Sequence, residues 1–181
     1  MTGRAWRSLS AVIGLAAIVV LIDQMTKIWA QNELAGKPSI EVIGDLLQFT
    51  YALNPGAAFS LGGDYTWVFT IAATAVSIGV IIFAVRVRSA WWLLALGLLL
   101  GGAVGNLVDR ATQPPGFGVG YVRDFIELPN WPIFNVADMA VVAAAATIVV
   151  LSLIGISATE SAVSGEDTDE EKAAAAGTSD A

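Results

Sequence analysis

Ser89–Val108, SAWWLLALGLLLGGAVGNLV, runs for 20 residues without a charge and is closed by Asp109-Arg110. About 20 apolar residues are what an α-helix needs to cross the hydrocarbon core of a bilayer. Two other uncharged runs meet that length, Tyr65–Val85 and Met139–Thr159, each of 21 residues. An earlier candidate is less tidy: Ser8–Ile22 gives 15 uncharged residues before Asp23, so a full span must continue toward Trp29. Its start (Arg4, Arg7) and apolar Ala11–Ile22 also have the character of a cleavable signal sequence, but Asp23-Gln24-Met25-Thr26-Lys27 continues the helical pattern and offers no small-x-small cleavage site.

The rest of the composition agrees. The 181 residues are 56% hydrophobic and 14% charged with a mean hydropathy of +0.70, against about 25% charge in soluble domains. The expected fold is an all-α membrane protein with four transmembrane helices, at about residues 8–30, 65–85, 89–108 and 133–157. Residues 36–60 contain Gln48-Phe49-Thr50-Tyr51 and predict a small extracytoplasmic β-element; residues 111–132, rich in Pro and Gly, predict an outer loop. Residues 1–159 form the membrane domain. The net charge of −7 resides mostly in residues 160–181, a tail of acids with Ala, Gly, Ser and Thr that is expected to be disordered. Without it nine acids and eight bases remain, so the body carries no basic footprint for nucleic acid.

Four crossings put both termini on one side. Arg4 and Arg7, with Arg86 and Arg88 in the turn between the second and third spans, mark that side as cytoplasmic. Lys27, Lys37, Arg110 and Arg123 lie on the other side, spread over longer segments.

With no His and no Cys, the chain has no His-based general base, no thiolate and no His or Cys metal ligand. Its chemistry must use carboxylates, Lys, Ser, Thr or Tyr. Ionisable residues at membrane depth are costly and usually functional, and on this topology all of them fall at the outer end: Asp23 and Lys27 on the first helix, Asn106, Asp109 and Arg110 on the third, Asn135 and Asp138 on the fourth. If helix four starts near Pro132, Asp138 lies roughly 9 Å down it and must be protonated, paired or hydrated. Asp124, in the apolar loop stretch Tyr121–Ile126, offers a second carboxylate. Two such acids suit water activation, one ionised to take a proton from water and the other protonated to polarise a carbonyl. Forced together, they would titrate as a coupled pair. Asp109 competes for that role, although Arg110 and Asn106 beside it suggest an ion-paired structural cluster. Asp23 and Lys27, spaced i, i+4, form either a structural pair or a binding site for substrate or lipid headgroup. Asn54, in the turn Asn54-Pro55-Gly56-Ala57-Ala58-Phe59, either caps that turn or reaches a ligand.

Five ordered blocks, Asp23–Lys27, Asn54–Phe59, Gly105–Arg110, Val122–Phe125 and Phe134–Asp138, together resemble the bacterial lipoprotein signal peptidases, the type II signal peptidases, over about residues 8 to 157. The resemblance implies an aspartyl endopeptidase of the bacterial plasma membrane, without cofactor or metal, acting as a monomer amid membrane lipid. It would cut diacylglyceryl-modified prolipoprotein substrates just before the lipidated cysteine. Asp124 and Asp138 would be the catalytic pair. Asp23, Lys27, Asn54, Gly56, Asn106, Asp109, Arg110, Asn135 and Ala137 would bind substrate or support the pair. A proton-coupled carrier is the rival class, but it needs polar groups through the inner halves of the helices, which carry no charge. A noncatalytic lipid-binding subunit is the other rival, and it predicts that Asp124 and Asp138 tolerate Asn.

The tail lacks the apolar content to offset ordering entropy and lies across the membrane from both aspartates. Deleting residues 160–181 should leave cleavage of a lipid-modified substrate unchanged in vitro. Protease added outside intact spheroplasts should cut within residues 111–118 and spare the tail; removal of the tail first would invert the orientation.

Overall fold

The computed structural model describes residues 3–56 and 66–159. The acidic tail and residues 57–59 of the Asn54–Phe59 turn lie outside the described residues. The chain is mostly helical, with four long apolar helices and a three-stranded sheet: α1 Gly3–Leu34, β1 Ile40–Ile43, β2 Leu47–Asn54, α2 Thr66–Ala84, α3 Ala90–Thr112, β3 Val122–Glu127 and α4 Val136–Leu153. All four helices are long and apolar enough to cross a membrane.

The buried residues of α1 (Val12, Ala16, Val19, Asp23, Lys27, Ala30 and Leu34 among them) recur every three or four positions and form one stripe. Its two mid-helix charges, Asp23 and Lys27, therefore lie on the buried face, while Ile18, Leu21, Ile22 and Met25 point outward. This inside-out pattern is the one a lipid solvent dictates, because apolar surface costs nothing there and polar groups must be satisfied internally. The helix overruns the expected 8–30 at both ends. It stops where Gly36 takes φ 72 and Pro38 follows, a left-handed C-terminal turn that a helix cannot continue through.

Helix α3 is central and packs along α1, α4 and α2. Gly97, Gly101 and Gly105, each four residues apart, place bare backbone against α1: a Cβ on Gly101 would lie 2.6 Å from Cβ of Val19, and one on Gly105 would lie 2.8 Å from Oδ2 of Asp23. Gly102 does the same toward α4, where a Cβ would come 2.5 Å from the carbonyl oxygen of Ala137. At the far end of the bundle Val12, Val80, Ala84, Val87, Leu96 and Leu100 form an apolar core.

Two expectations need correcting. The segment expected to be an outer loop contains β3, which pairs antiparallel with β2 to give the sheet order β1-β2-β3. The sheet sits on the end of α1 through an aromatic cluster of Trp29, Phe49 and Phe125, with the Trp29 and Phe49 centroids 5.4 Å apart. Helix α4 starts at Val136, not near Pro132, because Asn135 caps it and Phe134 just before is bridged to Ile126 of β3. Asp138 thus lies in the first turn, where the helix dipole acts, and not two turns down.

Ala137 immediately precedes Asp138, so the α3–α4 contact supports the site directly. Gly102→Leu should destabilise the detergent-solubilised protein by about 1–3 kcal/mol, read as a lowered Tm, since the obstructing atom is backbone and cannot give way. Gly79→Ala, where nothing lies within 4 Å of a Cβ, should leave Tm unchanged or raise it.

Candidate active site

The polar residues of α1, α3 and α4 meet the sheet at one end of the bundle, and Asp23, Lys27, Asp109 and Asn135 have no exposed surface there. Asp124 comes to the same place from β3, at 1% exposure. Asn54 reaches it through an irregularity in β2. Gln48 pairs with Glu127 but Asn54 pairs with Val122, so six steps along β2 match five along β3. The extra residue is a bulge between Phe49 and Ala52. Because side chains alternate faces, that one residue turns Asn54 onto the face that carries Asp124.

Each oxygen of Asp124 and Asp138 is met by an N–H donor. Asn54 Nδ2 donates to Oδ2 of Asp124 at 2.8 Å and Asn135 Nδ2 to its Oδ1 at 2.6 Å. Asn106 Nδ2 donates to Oδ1 of Asp138 at 2.8 Å, and the Asn135 backbone N–H donates to its Oδ2 at 3.1 Å. None of the three amides is free to flip. The Asn54 carbonyl accepts from Gly56 N–H at 2.7 Å, that of Asn135 from Asp138 N–H at 3.0 Å, and that of Asn106 from Lys27 Nζ at 2.9 Å. Burial, and then the charge of Asp138, push the Asp124 carboxyl up to about 7. Gly56, at φ 108, is confined to glycine both by backbone conformation and because a Cβ would overlap the Phe69 ring.

Behind these groups lies a second layer of charge. Lys27 Nζ is 2.9 Å from Asp23 Oδ2 and 3.2 Å from Asp109 Oδ2. Asp23 also accepts from the Ala137 N–H at 2.9 Å, tying α1 to the start of α4 and giving Ala137 a main-chain part in the site. The ion pair expected between Asp109 and Arg110 is absent from the site. Arg110 instead donates to the carbonyls of Gly120 at 2.8 Å and Asn54 at 3.2 Å and lies over the Phe69 ring, because successive residues of a helix point about 100° apart. Besides Lys27, the partner of Asp109 is Arg123, at 2.6 Å. Arg123 and Gln24 were not among the expected site residues. Arg123 could have been suspected once Arg110 is placed in the cavity wall, because Asp23 and Asp109 then outnumber Lys27 in the layer behind it.

Asp124 and Asp138 both line a cavity of ≈ 250 Å³ whose walls include Asn54, Asn106 and the apolar Phe69 and Ala73. Among the described residues no group of three or more Asp, Glu, His or Cys side chains could hold a metal ion. A coupled pair of carboxylates, Asp124 buried and Asp138 half-buried, facing a cavity with one apolar wall can activate water against a bond carried by an apolar substrate.

The family model described as Signal peptidase (SPase) II matches residues 15–154. A lipoprotein signal peptidase from Mycobacterium leprae (strain Br4923) is 46% identical over 149 residues, which are 82% of this chain and 74% of that protein. Two structures described as bacterial membrane enzymes solved by the in meso method are similar in fold. One has a TM-score of 0.68 at 28% identity, covering 85% of this chain and 94% of that one. The other has a TM-score of 0.69 at 30% identity, covering 78% and 92%. The chain therefore belongs to the signal peptidase II family of lipoprotein signal peptidases, membrane proteases that remove signal peptides from prolipoproteins.

Proposed function

We propose that this peptidase is of the aspartic type, with Asp124 and Asp138 as its catalytic pair. The observation that carries the reading is the shared cavity into which both carboxylates face while orientation-locked amides hold their oxygens. Asp138 acts as the base: it takes a proton from water as the oxygen attacks the scissile carbonyl carbon. Asp124 holds the other proton and gives it to the carbonyl oxygen, so charge does not accumulate on the tetrahedral intermediate. The proton taken by Asp138 then passes to the departing amine nitrogen. The C–N bond breaks, and the intermediate's hydroxyl returns a proton to Asp124, restoring the pair.

The bond cut is the one preceding a diacylglyceryl-modified cysteine. The apolar wall at Phe69 and Ala73 suits a substrate that arrives within the bilayer, and Asn54, Asn106 and Asn135 keep the pair oriented. Asp23, Lys27 and Asp109 support these groups from behind, and Arg110 lines the cavity beside Asn54 and Phe69. The enzyme works as a monomer without cofactor or metal, with both termini cytoplasmic and the site at the extracytoplasmic face.

Asp124→Asn and Asp138→Asn should each abolish cleavage of a diacylglyceryl-modified precursor by purified protein that remains folded, because Asn keeps the shape but cannot exchange a proton. Substantial turnover by either variant rules the pair out. Asp109→Asn should instead lose stability first, as it strips partners from Lys27 and Arg123.

The pH dependence has a definite sign. Asp124 is raised above the ordinary carboxylate range to about 7, so its acidic form persists well above pH 4 and is lost as pH rises through about 7. The rate should therefore decline on the alkaline side near that value. Asn54→Ala removes a donor that favours the anion, and should move the alkaline limb of the pH–rate profile upward. An alkaline limb near pH 4–5, the range of an unperturbed carboxyl, contradicts Asp124 as the acid.

A further inference from the structure

We infer that Arg123 is a positioning residue for both carboxylates, acting through Asp109 and through the strand it shares with Asp124. The inference rests on the reading of Asp124 and Asp138 as the catalytic pair.

Arg123 grips one carboxylate twice. Its Nη2 donates to Asp109 Oδ1 at 2.6 Å, and its backbone N–H donates to Asp109 Oδ2 at 2.9 Å. A single side chain on α3 thus fixes residue 123 at its backbone N–H and at its guanidinium, so the peptide between Val122 and Arg123, one residue before Asp124, cannot turn. The other face of the guanidinium is held by α1, where Nη2 donates to Gln24 Oε1 at 2.9 Å and Nη1 to Gln31 Oε1 at 3.1 Å. These glutamines are seven residues apart, two turns on one helix face. Arg123 therefore locks β3 to α1 and α3 at once.

The same carboxylate leads to the second aspartate. Asp109 Oδ2 is 3.2 Å from Lys27 Nζ, which donates to Asn106 Oδ1 at 2.9 Å, and Asn106 Nδ2 donates to Asp138 Oδ1 at 2.8 Å. Asp109 is thus the junction from which one arm, through Arg123, sets Asp124 and another, through Lys27 and Asn106, sets Asp138.

Arg123 is only 4% exposed, and its Nε is buried with no hydrogen-bond partner. An orphaned buried donor is costly. A strand that only had to be anchored could use an apolar side chain at this position, packed beside Phe125, without that cost. The forked donor geometry, which only arginine provides, is what position 123 uses.

The test is steady-state cleavage of a diacylglyceryl-modified precursor by purified full-length variants, with folding checked by Tm and size-exclusion profile. Arg123→Gln should lower kcat by about 10–100-fold, the scale of a small misplacement of catalytic groups, with KM unchanged because Arg123 does not line the cavity. Arg123→Lys should recover part of that loss, since an ammonium can reach Asp109 but cannot also span Gln24 and Gln31. Gln31→Met removes one bond to Arg123 at a partly exposed site and should give a smaller kcat loss, again at constant KM; together with Arg123→Lys it decides the matter if Arg123→Gln does not fold. Wild-type kcat in folded variants, or a loss expressed in KM, overturns the inference. Asp124→Asn serves as the control. If it is active, the catalytic pair itself is wrong; if it is inactive while the folded Arg123 and Gln31 variants behave as wild type, only the positioning role falls.

Discussion

The ammonium of Lys27 is the contact on which the rest of the site depends. It has no exposed surface and is held by three oxygens, from Asp23, Asn106 and Asp109, on two helices. A buried ammonium with fewer partners would cost several kcal/mol or lose its proton. Once those oxygens are in place, their second atoms are committed as well: Asp23 holds the start of α4 through Ala137, Asn106 must present its amide to Asp138, and Asp109 takes Arg123. Asp23 and Asp109 balance Lys27 and Arg123, so this buried layer carries no net formal charge beneath the carboxylates.

Neutrality below explains the arrangement above. In the proposed mechanism the pair Asp124 and Asp138 holds one proton between two acids, which requires an environment that opposes a second negative charge without neutralising the first. Burial opposes it, as the position of Asp124 near 7 reflects, while N–H donors on all four oxygens keep one ionised form accessible. The start of α4 adds the backbone N–H of its cap, Asn135, at Asp138 without adding another charge. The helix-start position at first suggests an ordinary cap. Here one residue serves both purposes, because a capping box consumes one carboxylate oxygen and leaves the other to Asn106.

The bundle was legible in the sequence because membrane crossing is a matter of run length, and the convergence of polar groups was legible because charges in such runs are rare. Strand β3 was not: Val122–Glu127 is six residues long and its partner β2 lies about seventy positions away, so no local pattern marks the pairing. The pairing of Asp109 with Arg123 is hidden in the sequence for a related reason. Arg110 is adjacent in sequence, whereas Arg123 becomes adjacent only after β3 docks. Asn54 could be placed in a turn by its chemistry, but which face it takes depends on one extra residue in β2, and a bulge leaves no mark in the composition. Pro132, a favourable first-turn residue, points to a start of α4 that is too early, while the deciding contact, Phe134 bridged to Ile126, is again long-range.

The glycines of α3 connect packing to chemistry. In a bilayer the helices gain little from hiding apolar surface, so close approach depends on small residues and on polar contacts between helices. Gly97 and Gly101 bring α3 against α1 through apolar atoms, and Gly105, one turn further, stands where a Cβ would strike the Asp23 carboxylate. The stripe that lets the helices touch therefore runs directly into the charge layer, and its last member leaves the space that Asp23 fills on its way to Lys27 and Ala137. A side chain at Gly105 would separate α1 from α3 and displace Asp23 in a single step. The fold and the site are in this sense one structure, since the approach that satisfies Lys27 is also the approach that gives the bundle its packing.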